Sequence, residues 1–452
     1  SLLVSAVDAP RAEDPGALTR ADADASPGAA RPLNVALDAG EEVRELRAGL
    51  VLRHAGAAGR VDAWAYGVAR DFENRLAVPA EQGAGVVAFE RVAPGAGVQF
   101  ERAWSLLGRE QTVLAGVDVQ HQDDDRTRHT NVAGERGMLL LAQRERVTGA
   151  GAFLQNTTRL GDTVELFAGG RYDVVRFDVD VDYDASGVPP SGRRTLDAWS
   201  PVGGVRWQAL APLSLFASVS TAFQTPTTTE LAAPDGGGFD PDLEPQTSLG
   251  GEVGARLQHE GIELGVAGFV LRVDDQILRF ESESGRDAYR NAGRSRRFGA
   301  EADWRWFAGS GFTWSGALTW IDTEFRDYVT PAGDFAGNEE PGTPSWQVFQ
   351  EVRWDHGSGG FAAFEAFWID DLWVDDANRV RSDGYALLGL RAGWAIERGG
   401  WRIAPFAAAT NLLDQRYDGT VRLNALGGRY FEPGPGRAFL LGLEVASARS
   451  RG

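Results

Sequence analysis

Apolar and polar side chains alternate at period two through long segments of the chain, the pattern of strands that have one apolar and one polar face. In 298–306, Phe298, Ala300, Ala302, Trp304 and Trp306 share one face, and Gly299, Glu301, Asp303 and Arg305 the other. Phe312, Trp314, Gly316, Leu318 and Trp320 oppose Thr313, Ser315, Ala317 and Thr319. Trp346, Val348, Val352 and Trp354 oppose Gln347, Glu351 and Arg353, and Leu249, Val253, Ala255 and Leu257 oppose Ser248, Glu252 and Arg256. A water-soluble sandwich or propeller would alternate in the same way, but its strands usually have about five or six residues. Several segments here are much longer, and a tilted membrane strand needs about 9 to 11. The tryptophans fall toward strand ends on the apolar face, where interfacial girdles sit.

Short turn-like junctions fall at 56–59, 106–109, 159–162, 211–213, 259–261, 309–311, 357–360 and 398–400. Between them lie long polar stretches, among them 123–144, 224–246, 323–343 and 414–436. Turns at one end and large loops at the other predict an all-β fold: an antiparallel, up-and-down transmembrane β-barrel with short periplasmic turns and long extracellular loops. Flanking segments at 1–7 and 437–445 bring the predicted count to about 18 strands, an even number that puts both ends on the turn side.

The 452 residues suit one barrel domain spanning 1–452. Cysteine is absent, which removes disulfides, thiolate metal sites and cysteine nucleophiles together. All 45 basic residues are arginine, and the formal charge of −19 argues against nucleic acid, whose phosphates need a basic face. No run of about 18 apolar residues occurs, so no spanning helix is predicted; barrel strands carry a weaker, alternating signal. The chain starts at Ser1 with no visible signal peptide.

Asp123, Asp124 and Asp125 head one long stretch, yet their spacing matches no calcium loop, so a solvated acidic loop is the expectation. His54, His121, His129, His259 and His356 are scattered, with His259 and His356 read as turn residues and none in a zinc-helix pair. Gly434-Pro-Gly436-Arg437 precedes a strand, so it is no phosphate loop, and no nucleophile elbow or paired catalytic carboxylates stand out. No enzymatic activity, cofactor or metal is expected.

Four ordered blocks resemble the barrel of TonB-dependent outer-membrane receptors, especially those that import ferric siderophores. They are Gly170-Arg171-Tyr172-Asp173; Phe223-Gln-Thr-Pro226 with Glu230 and Leu231; Tyr289-Arg-Asn291-Ala-Gly293 with Gly299 and Glu301; and Asn411, Leu412, Asp414 and Tyr417 followed by Phe431, Pro433, Gly434, Gly436 and Arg437. Gln224 stands where the family has arginine, and a tail, 446–452, stands where a terminal aromatic is usual. The resemblance implies a 22-stranded barrel filled by a plug and preceded by a TonB-binding segment. About 18 strands are visible, so the plug and first strands are expected to be missing from this stretch.

The resemblance further implies TonB-dependent uptake of a metal chelate, most often a ferric siderophore, by a monomer in the outer membrane of a Gram-negative-type bacterium. Its partners would be membrane lipid, the chelate and the TonB system. Arginines and aromatic rings at the mouth suit a large anionic ligand. The candidates are Arg126, Arg128, His129, Arg290, Arg294, Trp373 and Tyr430. A passive pore or structural barrel without a plug is the alternative reading, and a secreted soluble β protein a third.

Overall fold

A computed structural model describes residues 1–185, 187, 191–231, 243–281 and 287–447. One antiparallel sheet carries β1 (Leu2–Glu13), β2 (Gly40–Gly56), β3 (Gly59–Arg75), β4 (Val86–Leu106), β5 (Arg109–Val132) and β6 (Glu135–Leu160). It continues through β7 (Val164–Asp184), β8 (Gly192–Leu210), β9 (Leu213–Gln224), β10 (Gln246–His259), β11 (Ile262–Asp274) and β12 (Arg294–Gly309). It ends with β13 (Phe312–Asp327), β14 (Trp346–Asp355), β15 (Gly360–Ile369), β16 in two pieces (Tyr385–Trp394 and Ile396–Arg398), β17 (Trp401–Thr410) and β18 (Ala438–Ser447). Each strand pairs with its sequence neighbours, the up-and-down order that the alternation predicts.

The turns form where the sequence can adopt them. Two-residue hairpins favour turns with φ > 0 at both central positions, because those match the right-handed twist of the strands. Leu107-Gly108 (φ 53° and 73°), Glu260-Gly261 (39° and 84°) and Gly399-Gly400 (61° and 78°) all obey this, with glycine second each time.

Register follows the faces read from the sequence. Val266 pairs with Ala302, Ala302 with Leu318, Leu318 with Val348, and Val348 with Trp368, so one apolar row runs across five strands. At the strand ends the ladders stack aromatics: Trp306 opposite Trp314, Trp320 opposite Trp346, and Phe312 opposite Trp354. The Trp304 and Trp314 rings meet edge-on at 5.6 Å between centroids. Large apolar side chains such as Val117, Leu154, Trp199, Val253 and Phe298 stay exposed on this face. In water that surface would be costly, and against acyl chains it is not.

The stretch 123–144 is not a loop. β5 and β6 run straight through it and turn at Ala133-Gly134 (φ 52° and 93°), so the strict alternation of short and long connections breaks here. The outward face of β5 shows why: Val113, Ala115, Val117 and Val119 are apolar, then His121, Asp123 and Asp125 are polar. At a rise of about 3.4 Å per residue, a strand of 24 residues spans about 80 Å, far more than a hydrocarbon layer of about 30 Å. The hairpin therefore continues past the membrane into water, where cross-strand ion pairs replace apolar contacts. Arg144 grips Asp123 at 2.6 and 2.7 Å, Arg91 grips Asp124 at 2.6 and 2.8 Å, and Arg126 Nε lies 2.8 Å from Glu145. The same misreading affects 323–327, which extends β13.

No ladder joins β1 to β18 among the described residues. β1 pairs only with β2, and β18 only with β17. Their loops do meet. Leu18 and Phe431 exchange backbone hydrogen bonds at 2.8 and 3.2 Å, although the segments lie at opposite ends of the sequence.

Candidate ligand-binding mouth

The connections at the long-loop end fold onto one another and build a fixed rim. Between β1 and β2 lie two short helices, α1 (Arg20–Ala25), capped by the Thr19 side chain, and α2 (Pro32–Ala36), with proline at its start. Leu18 and Ala23 from this segment bury against Phe431 of the last loop. Arg20 lies 3.7 Å above the Phe431 ring and donates to both Asp418 oxygens, at 2.7 and 3.3 Å, and Ser382 Oγ donates to Asp418 Oδ2 at 2.6 Å. A carboxylate this buried is tolerable because charged donors surround it.

The family-type motif positions prove to be scaffolding of this rim. Leu231, 1% exposed, packs with Phe177, Leu196 and Leu243, against which Phe223 and Tyr289 also lean. Pro226 is buried, and the Glu230 carboxylate accepts from Thr227 N (2.7 Å) while Thr227 Oγ1 accepts from Glu230 N (3.2 Å), closing the turn that seats Leu231. Asn291 ties two loops by donating to Glu244 O and Asp275 O and accepting from Glu244 N. Gly299 leaves room for the Phe269 ring, which a Cβ would meet at 2.4 Å, and Glu301 lies on the inward face of β12.

Asn411, in the left-handed region at φ 47°, donates to Gln415 O and Pro435 O and accepts from Gln415 N. Leu412 N donates to Leu388 O, anchoring the end of β17. Gly434 lies against the Tyr417 ring, where a Cβ would come within 2.2 Å, and Pro433 pairs with Asp418. Asp414 Oδ1 accepts from Arg437 N at 2.9 Å beside Gly436. Apart from Glu301, exposed on the inward face, these residues hold backbone turns or close packing.

The seven candidate ligand residues separate. Arg126 and Arg128 are buried within β5, each 5% exposed, and Arg126 is engaged by Glu145 and by the Phe89 ring at 5.2 Å. His129, half-buried, is in the same strand. Asp123 and Asp124 are held by arginines, as described above, and no cluster of metal-ligating side chains occurs among the described residues. Arg290 sits in a short loop hairpin (Ile277–Glu281 with Asp287–Asn291), 4.2 Å above Phe280. Arg294 is exposed at the foot of β12, 3.8 Å from Asp327. Trp373 lies beneath Arg381 at 3.9 Å. Tyr430 packs edge-on to Phe431 at 5.9 Å, and burial pushes its phenol above the ordinary value. The structure thus gathers Arg290, Trp373 and Tyr430 into the loop layer and leaves Arg126, Arg128 and His129 in the wall.

A buried knot locks the loops after β11, β13, β15 and β17. Tyr328 Oη donates to Asp376 Oδ2 at 2.8 Å, Asn424 Nδ2 donates to Asp376 Oδ1 at 3.0 Å and to Arg279 O at 3.2 Å, and Asn338 Nδ2 donates to Asp376 O at 2.8 Å. Burial raises the Asp376 carboxyl above the usual carboxylate range, against the opposing pull of the Asn424 and Tyr328 donors and of Arg290. A carboxyl raised in the folded state stabilises fully below its unfolded pKa, and that contribution is lost as pH rises through the folded value. Amide exchange in 323–343 and 370–384, corrected for intrinsic rates, should therefore be slower at about pH 4 than at neutral pH. In Asp376→Asn the difference should disappear.

A cavity of about 380 Å³ also opens in the rim, lined by Arg31, Arg422 and Arg429 with Leu76 and Val78. Sequence reading missed it because its arginines come from the first and last loops, which no periodicity connects.

The family described as TonB dependent receptor-like, beta-barrel matches residues 16–425. Among solved structures, the unliganded ferric citrate transporter FecA superposes with a TM-score of 0.80 at 17% identity, covering 98% of this chain and 67% of FecA. The ferric yersiniabactin uptake receptor FyuA from Yersinia pestis gives 0.71 at 15% identity, with 96% and 66% covered. The copper transporter OprC gives 0.68 at 15%, with 90% and 65% covered. This chain spans about two thirds of the length of these proteins, and at such identities the likeness is one of fold. Apolar outward rows, ends ringed with tryptophan, a rim of interlocked loops and the family match lead to one assignment: the chain belongs to the TonB-dependent receptor-like β-barrels, proteins of the Gram-negative outer membrane.

Proposed function

We propose that this barrel belongs to a receptor that captures a metal chelate outside the cell and imports it with energy relayed through TonB, with a ferric siderophore as the ligand class. The carrying observation is the guanidinium and ring pairs held in the loop layer, Arg290 over Phe280 and Arg381 over Trp373. Flat cations on aromatic faces present charge and a stacking surface together, which suits anionic ligands built from aromatic or hydroxamate groups. In this reading the TonB contact lies in chain preceding the barrel, and the receptor acts as a monomer without catalysing a reaction. Cells carrying the complete gene should take up a labelled ferric siderophore under iron starvation and lose that uptake on deletion. Uptake unchanged by deletion would remove the transport claim. Uptake of a copper chelate instead would keep the receptor and replace the ligand.

A further inference from the structure

We propose that the outward face of β4 to β6, near the periplasmic turns, holds a selective site for an anionic phospholipid of the periplasmic leaflet, with its phosphate on Arg102 and Gln111 and one acyl chain in the apolar recess above them. Such a site does not depend on which ligand the receptor imports.

Outward positions on β4 run Val98, Phe100, Arg102 and Trp104, so a guanidinium stands among apolar side chains on the lipid face. Arg102 is exposed and meets no carboxylate among the described residues. The same face at the loop end is different: Arg44, Arg144, Arg146 and Arg193 lie 3.6, 2.6, 2.6 and 2.8 Å from a carboxylate. Near the turns, the outward positions of 98–106, 109–117 and 152–160 hold no acid at all. Glu110 and Glu165 are close in sequence, but they lie on the inward face and hold Arg159 at 2.9 and 3.1 Å. Arg102 therefore has no counterion within the protein, and the anion at hand at a membrane interface is a lipid phosphate. A guanidinium fits a phosphate with two parallel bonds.

A set of neutral donors is built beside it. Gln111 sits opposite Trp104 in the ladder and is buried, at 8% exposed. Its Oε1 accepts from Asn156 Nδ2 at 2.7 Å and from Thr158 Oγ1 at 2.6 Å, and Asn156 Nδ2 also donates to Thr158 Oγ1 at 3.1 Å. With the oxygen doubly engaged, the amide is fixed in orientation and its Nε2 hydrogens donate to nothing among the described residues. Unused donors on a lipid-facing wall are costly unless a headgroup accepts from them. Trp104, 44% exposed, adds an indole N–H at the same level. Donors already held in place lose less on binding than flexible ones.

Above this cluster the same strands form a recess of about 680 Å³, lined by Ala96 and Val98 of β4, Val117 of β5, Ala150 and Ala152 of β6 and Tyr172 of β7. The alanines make its floor, and Tyr172 makes the far wall, steadied by donating to Asp197 Oδ2 at 3.0 Å. From Arg102 to Val98 is about 14 Å along the strand, less than the about 15 Å that the chains of one leaflet fill. One lipid can thus reach both features. A headgroup bearing an ammonium would bring a second cation beside Arg102 where no outward carboxylate awaits it, so a headgroup without one, as in phosphatidylglycerol, is favoured.

The test uses the full-length receptor in detergent, with lipid adducts counted by native mass spectrometry as phosphatidylglycerol, phosphatidylethanolamine or headgroup-free diacylglycerol of the same chains is added. One saturable phosphatidylglycerol is expected, held about tenfold more tightly than either of the other lipids, the worth of a charge-assisted bond. Arg102→Gln should remove that preference. Arg398→Gln should leave it intact, although Arg398 is likewise exposed beside a turn and meets no carboxylate among the described residues. Ala152→Phe, which fills the recess and spares the polar cluster, should weaken phosphatidylglycerol several-fold and keeps the test open if an arginine variant fails to fold. Equal affinity for the two phospholipids, or equal loss from Arg398→Gln and Arg102→Gln, would reduce the effect to general charge attraction and overturn the proposal. Diacylglycerol bound as tightly as phosphatidylglycerol, or affinity indifferent to both Arg102→Gln and Ala152→Phe, would overturn it as well.

Discussion

Leu318→Arg and Val253→Arg should each abolish stable insertion or reduce it severely, whereas Thr319→Arg should be tolerated. Leu318 lies midway along β13 in the outward row between Ala302 and Val348, and Val253, 62% exposed, lies midway along β10 beside Ala217 and Gly268. Arginine near the bilayer midplane costs about 2 to 4 kcal/mol and about 0 to 1 near the interface. That range is a large part of the about 5 to 15 kcal/mol by which folded proteins are stable. Thr319 faces inward opposite Glu301, which can pair with a new guanidinium. Leu257→Arg, three residues before the turn at Glu260-Gly261, should fall between these limits. Equilibrium refolding of the full-length receptor into vesicles, read by heat-modifiable gel migration, ranks the four. Equal tolerance on both faces would invert the in and out assignment on which every lipid contact rests.

The parts of this fold that local physics determines were legible in the sequence. A period of two leaves no freedom about which side chains share a face, so the rows of 298–306, 312–320 and 346–354 appear in the ladders as read. Turns were found where glycine supplies left-handed backbone. What escaped reading was non-local. The stretch 123–144 is as polar as a loop because β5 and β6 leave the hydrocarbon there, and only the partner strand reveals that Asp123 faces Arg144 and Asp124 faces Arg91. Arg126 was assigned to ligand binding on the assumption of a loop; in the strand its charge is held by Glu145. The bridge from Leu18 to Phe431 and the triad of Arg31, Arg422 and Arg429 depend on contacts between the two ends of the chain. The motif residues carried a clear signal for the fold, because most of them fix the turns and packing of the rim.

Residues 1–452 refolded alone should fail to give a compact, protease-resistant species in a bilayer. The reason is the seam. β1 and β18 each use one edge for a ladder, so every second residue turns its N–H and C=O toward a side that no described strand covers. Within the about 9 to 11 residues that cross hydrocarbon, this leaves about five residues on each edge with both groups unpaired. At several kcal/mol for each unsatisfied group in lipid, the total exceeds any plausible folding stability. The side chains do not relieve it: Leu2, Leu3 and Val4 on β1 and Phe439, Leu440 and Leu441 on β18 are exposed and apolar, so the edge attracts lipid while its backbone rejects it. The loop bridge between Leu18 and Phe431 holds the seam at the outer end only, and its two hydrogen bonds cannot offset an open ladder of this length. Added strands that pair with both edges should restore heat-modifiable migration. Direct closure can be tested cleanly because the chain has no cysteine. Val7→Cys combined with Gly442→Cys, at mid-height on the two strands, should not form a disulfide when residues 1–452 are refolded alone. A cross-linked, protease-resistant monomer would show that 18 strands close by themselves, and measurable bilayer conductance from it would favour an open pore over a receptor barrel.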